Sequence, residues 1–388
     1  MGCNNIGDEA ILASVLAIFR QFFPDAAITV CTADAKTADL LDVSCAPLYG
    51  FDPAHDLADF ARLAARHDLY CWCGATGLSD YPDVALKLLQ SAQEQEVPTI
   101  VWCVGMDEQF NPAHFKVAGK KKMLLSLASL LSLRRIDFAL LYEQWLIKRV
   151  YARINACLTA CRLVVLRDQA SLRCLEKSGF RRAIYAADSA ICQTSAACSP
   201  IGASPGIYKV GFCVSAQRKI VNEQALVDLW KDLQSKGYHI VFIPMNPVTD
   251  RELMRRLSTS LNQQQVEWVN SSLPAEVQAA AANCDVVVSS RLHLLILAAN
   301  ARTPIIGIGR GSKIDNFLEQ FSLSPAGNFE NCDFAKIGNE IERFRQGGDK
   351  EFKTIASKVY SEMHERLTSA KQLLQDEINS ILSSKVKN

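Results

Sequence analysis

The sequence lacks an uninterrupted apolar run of the ~18 residues that a membrane-spanning helix needs, and it lacks a charged leader followed by a cleavable apolar segment. We therefore predict a soluble protein of the cytoplasm. An excess of one charge is also absent, since 42 Lys and Arg face 41 Asp and Glu. A protein that coats nucleic acid is usually strongly basic, so nucleic acid is not an expected partner.

Cysteine arrangements that bind zinc are lacking too. Cys71 and Cys73 lie on one face of a predicted strand without a second pair at zinc spacing, and Cys157 and Cys161 fall in a predicted helix. The fourteen cysteines are scattered through apolar stretches, which is typical of reduced, buried thiols in a cytosolic protein. We expect no metal site.

The chain does have an alternating pattern of secondary structure. Short β-branched or aromatic runs are followed by longer stretches of helical periodicity, which predicts an α/β protein with parallel, doubly wound sheets. At 388 residues the chain exceeds what one core usually supports, so two domains are expected. The predicted strands cover residues 27–31, 68–73, 98–104, 162–166, 208–214, 239–244, 285–290 and 304–308.

A stretch rich in Ser, Ala, Gly and Pro, "QTSAACSPIGASPG", interrupts this pattern at residues 193–206 and predicts a linker. We accordingly expect a Rossmann-like domain over residues 1–192, a second one over 207–348, and a helical tail over 349–388.

Residues 285–300, "DVVVSSRLHLLILAAN", predict a strand that ends near Ser289 and a helix that starts near Ser290. Arg291 and His293 would then lie at the carboxyl end of a parallel strand, where α/β proteins bind ligands. The helix N-terminus and the guanidinium favour an anion, and an acid role for the imidazole requires an anion nearby. The alternative is a capping Ser290, a solvated Arg291 and a hydrogen-bonded core histidine.

The next strand-to-helix junction, "PIIGIGRGSKIDNF", repeats the layout. Ser312 and Lys313 open a helix after a turn in which Gly309 and Gly311 allow the backbone to approach a ligand closely. Two adjacent anion sites favour ligand binding over the structural alternative.

The N-terminal loop "NNIGDEAIL" places Asn5 before Asp8 and Glu9 at the start of an amphipathic helix. It is either a capped helix or a loop facing a cleft between the domains, where Asp8 or Glu9 meets a sugar hydroxyl. In a parallel α/β sheet a strand is expected before such a loop, and the sequence as it begins at Met1 leaves no room for one.

Two further junctions carry charge. In "VVLRDQAS" Arg167 either faces the cleft or forms a surface pair with Asp168. In "YAADSA" Asp188 is either a capping acid or a carboxylate that orients a catalytic group.

The basic and apolar stretch "GKKKMLLSLASLLSL" at residues 119–133 also has two interpretations. A buried helix with a basic start is favoured. The alternative is an amphipathic segment that lies on the inner face of a membrane.

Together these stretches resemble the polysaccharide pyruvyltransferase family. The resemblance rests on "NNIGDEAIL", "RDQAS", "DSA", "SSRLHLLI" and "GSKIDNF", which follow in the family's order between about residue 2 and residue 320. It implies a glycosyltransferase-B-like fold, in which two Rossmann-like domains face a cleft and C-terminal helices follow.

The resemblance also implies transfer of a pyruvyl group from phosphoenolpyruvate to saccharide hydroxyls as a ketal, in cell-surface polysaccharide biosynthesis, without a cofactor. His293 would be the general acid, and Arg167, Arg291 and Lys313 would be the anion clamps. Asp8 would contact the acceptor. The acceptor is expected to be a saccharide, and a lipid-linked saccharide is one form of it. Asn5, Ser290, Gly309 and Gly311 would complete the binding residues.

The chain departs from the family at "CWCGATGLSDYPD", where Ala75 and Thr76 replace glycines. Two other functions therefore stay open. One is a glycosyltransferase that uses a nucleotide sugar, with Glu276 or Asp285 binding the ribose. The other is a non-catalytic protein that binds saccharides or anions.

Overall fold

The computed structural model describes residues 2–34, 41–51, 54–108, 110–111, 116–132, 135–194 and 206–386. The chain forms two compact units, of which unit 1 comprises Met1–Pro47 and Ala187–Thr368 and unit 2 comprises Leu48–Ala186 and Ser369–Asn388. This division differs from the one expected from sequence, because residues 1–47 fold with the C-terminal sheet. Most of the predicted linker at 193–206 lies outside the described residues.

The strands are β1 (Thr29–Cys31), β2 (Ser44–Ala46), β3 (Tyr70–Cys73), β4 (Thr99–Val104), β5 (Leu163–Leu166), β6 (Ile184–Tyr185), β7 (Lys209–Cys213), β8 (His239–Phe242), β9 (Val266–Trp268), β10 (Val286–Ser289) and β11 (Ile305–Gly307). All eight predicted strands are present. The two short ones that the pattern missed in unit 1, β2 and β9, carry a serine or a glutamate and have no apolar run of their own.

The helices are α1 (Ile6–Phe22), α2 (Leu57–Ala64), α3 (Gly77–Asp80), α4 (Pro82–Glu94), α5 (Gly119–Leu131), α6 (Phe138–Thr159), α7 (Gln169–Glu176), α8 (Glu223–Ser235), α9 (Thr249–Leu257), α10 (Pro274–Ala282), α11 (Leu292–Asn300), α12 (Ser312–Glu319), α13 (Phe334–Arg343) and α14 (Asp349–Val386). A 3₁₀ turn at Ser189–Cys192, which we call the 189–192 turn, precedes the second sheet. No helix in the described part of the chain is long and apolar enough to span a bilayer.

Unit 1 contains a five-stranded parallel sheet in the order β11-β10-β7-β8-β9. The chain starts in the middle at β7, moves outward to β9, and returns to the other side at β10. This reversal between β7 and β10 is the switch point of a Rossmann-type sheet, and ligands of such sheets bind beside it at the carboxyl ends of the strands. The α/β class with parallel sheets is thus confirmed.

Helix α1 belongs to this unit because its apolar side packs there. It lies against α10, α11 and the 189–192 turn, and Ile6 N–H donates to the carbonyl oxygen of Met245, just beyond β8, at 3.0 Å. Helix α11 is apolar on all sides, as a fully enclosed helix must be, and residues 294–299 are buried. The first turns of α1 and α11 are thereby fixed at the carboxyl edge of the sheet.

Unit 2 contains a four-stranded parallel sheet in the order β3-β4-β5-β6. Every residue of β4 is buried, which fits a central strand covered on both faces. The core includes Leu86, Val101, Ile154 and Leu166.

The predicted C-terminal helix is one continuous element, α14, whose residues 349–368 belong to unit 1 and 369–386 to unit 2. In unit 1 the buried Tyr360 hydroxyl donates to the carbonyl oxygen of Ile296 in α11 at 2.6 Å. Burial raises the pKa of this phenol well above its ordinary value, so it remains a donor. This bond ties the tail to the helix that carries His293.

Helix α5, within the stretch for which a buried helix was favoured, has no buried residue. The sequence-based preference was therefore wrong. Its leucines form an apolar face that pattern alone assigns to a core, because a sequence does not reveal whether another element covers that face.

Candidate functional site

The imidazole of His293 and the carboxylate of Asp188 meet in unit 1. Nε2 of His293 lies 3.5 Å from Oδ2 of Asp188, and the two side chains are 14% and 8% exposed. This distance is longer than an ordinary N–H···O bond but short enough for a strong attraction when the imidazole is protonated. The two residues that sequence patterns placed at separate junctions thus form one buried pair.

The local structure around Asp188 explains how its carboxylate is aimed. Asp188 is the N-cap of the 189–192 turn, and its Oδ1 accepts a hydrogen bond from the N–H of Ala190 at 3.0 Å. One oxygen is therefore committed to the cap, which leaves Oδ2 facing His293. Of the two roles that the sequence left open, the cap is present, and the role of orienting a catalytic group stays a prediction to which the 3.5 Å separation from His293 is relevant.

The first turn of α1 covers the imidazole from the other side. Gly7 is so close to His293 that a methyl group on its α-carbon would clash with Nδ1, Cγ and Cβ of the ring side chain. Only glycine lets the helix approach this far. The N-terminal motif and the histidine motif are therefore in direct contact within one unit.

The remaining N-terminal residues cap this helix. Asn5 is the N-cap of α1, and its Oδ1 accepts from the N–H of Gly7 at 3.2 Å, so the predicted binding residue has a structural task. Glu9 accepts from the N–H of Gly2 at 2.7 Å. Asp8 follows Gly7 in the same turn and is half-buried.

Arg291 has a partner that the sequence did not reveal. Its Nε donates to Oδ2 of Asp250 at 2.9 Å and its Nη2 donates to Oδ1 at 2.7 Å, with the side chains 8% and 0% exposed. The bidentate edge formed by Nε and Nη2 is thus occupied by a carboxylate, which gives Arg291 a structural role at the switch point. The anion-clamp role expected of Arg291 stays a prediction, and the edge that includes Nη1 would have to carry it.

Ser290 also points inward. Its hydroxyl oxygen accepts from the N–H of Ser215 at 2.8 Å, and the residue is 1% exposed. The N-cap position of α11 is Arg291, without a side-chain cap, and the hydroxyl of Ser289 accepts from the N–H of Arg291 at 2.9 Å. Ser290 therefore joins the ends of β7 and β10 and is not available to a ligand in this arrangement.

The second predicted anion site is built from the turn between β11 and α12. Gly311 adopts φ of 131° with open space around its α-carbon, a conformation that favours glycine, and it is the N-cap of α12. Lys313 is the second residue of that helix and is half-buried. Gly309 instead packs on a neighbouring loop, since its N–H donates to the carbonyl oxygen of Gly327 at 2.8 Å, so its expected contact with a ligand is not supported.

Arg310 in the same turn was not among the residues predicted from sequence. Its Nη1 donates to the hydroxyl of Ser215 at 2.9 Å, just beyond β7, and the residue is half-buried. A second arginine therefore lies at the switch point besides Arg291. The signal was present in "GRGSK", whose arginine lies three residues beyond the end of β11.

In unit 2, Arg167 lies at the carboxyl end of β5 with 7% exposure. Its Nε is 3.3 Å from Oδ2 of Asp168, and the guanidinium lies on the backbone of Gly105, where an added methyl group would come within 2.6 Å of Cζ. Asp168 in turn caps α7 through the N–H of Ser171 at 2.7 Å. Arg167 is therefore a buried residue with a fixed orientation, and its pair with Asp168 is not a surface ion pair.

The altered "GATG" stretch of unit 2 keeps a turn that normally requires glycine. Gly74 and Ala75 both have positive φ, of 65° and 58°. An alanine in this left-handed region costs roughly 1–2 kcal/mol relative to glycine. The carbonyl oxygen of Ala75 accepts from the N–H of Gly105 at 2.7 Å, so the turn is held next to Arg167.

Among the described residues, no cluster of three or more His, Cys, Asp or Glu side chains could hold a metal ion. The sulfur atoms of Cys71 and Cys73 are 3.4 Å apart on one face of β3, as the strand period predicts.

A family model described as polysaccharide pyruvyl transferase matches residues 5–312 of the chain. No curated protein matches it. Among solved structures, the chain is similar to Anabaena HepE in complex with UDP, with 13% identity, coverage of 96% of both chains and a TM-score of 0.58. A putative UDP-N-acetylglucosamine 2-epimerase from Listeria monocytogenes has 10% identity, coverage of 89% of this chain and 87% of that one, and a TM-score of 0.59. A Rickettsia africae glycosyltransferase has 10% identity, 97% and 95% coverage and a TM-score of 0.55. These likenesses confirm the glycosyltransferase-B-like fold class.

The contact between Gly7 and His293 can be tested by Gly7→Ala. The added methyl group has no room, so we expect the free energy of unfolding to fall by about 1–3 kcal/mol in chemical denaturation. The matched control is Gly338→Ala in α13, where the methyl group would meet Leu229 at an ordinary 3.5 Å. That variant should be unchanged or stabilised by about 0.5–1 kcal/mol. Equal stability of the two variants would show that α1 does not press on the imidazole.

The role of Arg291 can be tested by Arg291→Ala. The change leaves the fully buried carboxylate of Asp250 without its counterion, so we expect a loss of about 3–5 kcal/mol in the free energy of unfolding. The control is Arg256→Ala, which removes an equally bidentate pair with Glu223 that is 57% exposed at the arginine. Its loss should be under about 1 kcal/mol. An Arg291→Ala protein as stable as the control would restore Arg291 as a ligand-binding residue.

Proposed function

Since the chain belongs to the polysaccharide pyruvyl transferase family, we propose that it transfers a pyruvyl group from phosphoenolpyruvate to two hydroxyls of a saccharide. The observation that carries the proposal is the buried pair of His293 and Asp188 beneath the first turn of α1. It supplies a proton donor with a fixed counterion at the edge of the sheet where ligands bind.

The reaction needs one proton on carbon. Protonation of the methylene carbon of phosphoenolpyruvate leaves an oxocarbenium centre at C2, which the first hydroxyl attacks. The C–O bond to phosphate then breaks, and the second hydroxyl closes the ketal. Of the two hydroxyl protons, one replaces the proton used on carbon and the other leaves on inorganic phosphate, so that the products are the ketal and phosphate.

His293 is the proposed acid. The carboxylate of Asp188, 3.5 Å away, is a counterion for the imidazolium that the proposed step requires. Asp188 is thus the anion that an acid role for His293 requires, independent of the substrate. A positioned acid of this kind contributes typically about 10² to 10⁴ in rate.

The phosphate and the carboxylate of phosphoenolpyruvate require cations. With Arg291 committed to Asp250, we assign the anion to Arg310, Lys313 and the N-terminus of α12, around the open Gly311. Charge that moves onto the departing phosphate would be stabilised there. The anion-clamp role expected of Arg167 from its sequence motif stays a prediction.

The acceptor would bind beside the α1 turn, with Asp8 as a contact for a hydroxyl. A saccharide is proposed as the acceptor because the family is named for polysaccharides. We propose a cytoplasmic enzyme that acts on a lipid-linked intermediate of cell-surface polysaccharide synthesis. The roles of Asp8 and of the lipid-linked acceptor rest on the family resemblance.

The second candidate is a glycosyltransferase that uses a uridine diphosphate sugar. It is favoured by the likeness to the UDP complex of HepE, although that likeness concerns the fold alone. Of the two carboxylates proposed for ribose, Asp285 lies at the amino end of β10 and accepts from the N–H of Lys209 at 2.7 Å, so it is at the wrong edge of the sheet. Glu276, exposed in the first turn of α10, is the remaining one.

The proposal predicts phosphate release when the protein is incubated with phosphoenolpyruvate and a panel of nucleotide-linked and lipid-linked saccharides. His293→Ala should lower turnover by about 10² to 10⁴ in protein that circular dichroism shows to be folded at the assay temperature. The matched control is His239→Ala, which removes the histidine at the amino end of β8, 3.9 Å from Glu267. That variant should keep its turnover.

Two results would contradict this assignment. A His293→Ala protein with most of its activity would rule out the acid role. Absence of phosphate release with every acceptor, together with thermal stabilisation by a uridine diphosphate sugar, would favour the glycosyltransferase instead.

Asp188→Asn tests the counterion separately. Asparagine can still cap the 189–192 turn but carries no charge, so the protonated imidazole loses stabilisation. We expect turnover to fall about tenfold at neutral pH, because the imidazolium has lost its counterion. Asp333→Asn, which changes the equivalent N-cap of α13, is the control. Unchanged turnover in Asp188→Asn would mean that the carboxylate acts only as a cap.

A further inference from the structure

Unit 2 carries a large exposed apolar surface on the helical hairpin formed by α5 and the first part of α6, which we call the α5–α6 hairpin. Large hydrophobic residues in a folded chain are seldom exposed in a contiguous group unless something binds there. The exposed members are Met123, Leu124, Leu127, Leu130, Leu131, Ile136, Leu140, Leu141 and Trp145, with exposures between 43% and 80%.

The exposed apolar residues of α5 share one face of that helix. At 3.6 residues per turn, their five side chains fall within about 120° of the helix surface. Trp145 extends the apolar surface along α6, and its indole has an apolar body and a polar edge, as is typical of residues at a membrane interface. Helix α5 is thus amphipathic, and α6 adds exposed apolar surface to the same hairpin.

The sequence of the α5–α6 hairpin has an excess of positive charge. Residues 116–149 hold eight Lys and Arg and two acids, a net charge of +6 in a chain whose total is +1. Lys120, Lys121 and Lys122 form the exposed start of α5. The long aliphatic stems of such residues can lie along an apolar layer while their ammonium groups reach a charged surface.

Both acids of the hairpin are committed to the backbone. Oδ1 of Asp137 caps α6 through the N–H of Leu140 at 3.0 Å, and Oε1 of Glu143 accepts from the N–H of Val117 at 2.9 Å. The Ser129 hydroxyl of α5 accepts from the N–H of Phe138, the first residue of α6, at 3.0 Å, which joins the two helices. The hairpin is therefore preformed, and binding would not have to order it.

We propose that the α5–α6 hairpin docks the protein on an anionic phospholipid bilayer, with the leucine face in the interfacial layer and the lysines on the headgroups. An apolar face with basic residues matches such a surface in both hydrophobicity and charge. A second copy of this chain is a poor occupant, because a symmetric contact would bring two sets of these positive charges together. The proposal does not depend on pyruvyl transfer.

The test is flotation of the full-length protein with two kinds of vesicle. One kind is phosphatidylcholine alone, and the other is a mixture of phosphatidylcholine and phosphatidylglycerol in equal parts. We expect binding to the mixed vesicles at low salt, weak binding to the neutral ones, and loss of most binding at about 0.5 M salt.

Two triple variants separate the forces. Leu124→Ser with Leu127→Ser and Leu131→Ser removes apolar surface, and Lys120→Glu with Lys121→Glu and Lys122→Glu reverses charge. Each should weaken binding to the mixed vesicles at least about tenfold. The controls are Val221→Ser with Val248→Ser, at 68% and 56% exposure elsewhere, and Lys231→Glu with Lys350→Glu and Lys358→Glu. The two hairpin variants and the two control variants should all have the same turnover on a water-soluble acceptor.

The proposal fails if the wild-type protein does not float with the mixed vesicles at low salt, or if the hairpin variants float as well as the controls. It also fails if the wild-type protein is a dimer without vesicles and the leucine variant is a monomer, because a second copy would then cover the face.

Discussion

The buried ion pair between Asp250 and Arg291 fixes the edge of the sheet at which the candidate site lies. Oδ1 of Asp250 also accepts from the N–H of Ala216 at 2.9 Å, and Oδ2 accepts from the N–H of Asn246 at 3.0 Å. One carboxylate therefore joins the segments that follow β7 and β8 to the start of α11. A buried charge without such partners would be strongly unfavourable, so the loops cannot move apart independently. The position of His293, two residues beyond Arg291, depends on this constraint.

The sequence predicted most of the fold because a parallel α/β sheet leaves a strong local signal. Strands such as β4 and β10 are continuous apolar runs, and the junctions that follow them mark the carboxyl edge. The membership of α1 could not be predicted in this way. Its apolar face would suit either sheet, and the hydrogen bond from Ile6 to Met245 that fixes it in unit 1 links residues far apart in the chain. The short strand β9 was missed for a related reason, since its glutamate breaks the pattern and only pairing with β8 defines it.

For the site, a sequence shows which groups could react but not which of them are already paired. His293 and Asp188 were both identified as candidates, but their 3.5 Å separation follows from the packing of the 189–192 turn against α11. Arg291 was assigned to a ligand because no local pattern announces a partner 41 residues earlier in the chain. Gly7 was overlooked as an individual residue, since the space it provides is visible only once the imidazole is placed beside it.

The surroundings of His293 hold its imidazole against a carboxylate. Asp188 is held by its cap and His293 is confined by Gly7, so neither side chain can turn away from the other. A histidine intended only for the core would be better served by a neutral hydrogen-bond partner, since a buried carboxylate at this place must itself be stabilised. The pairing therefore argues for proton transfer more strongly than the presence of a histidine in the motif does.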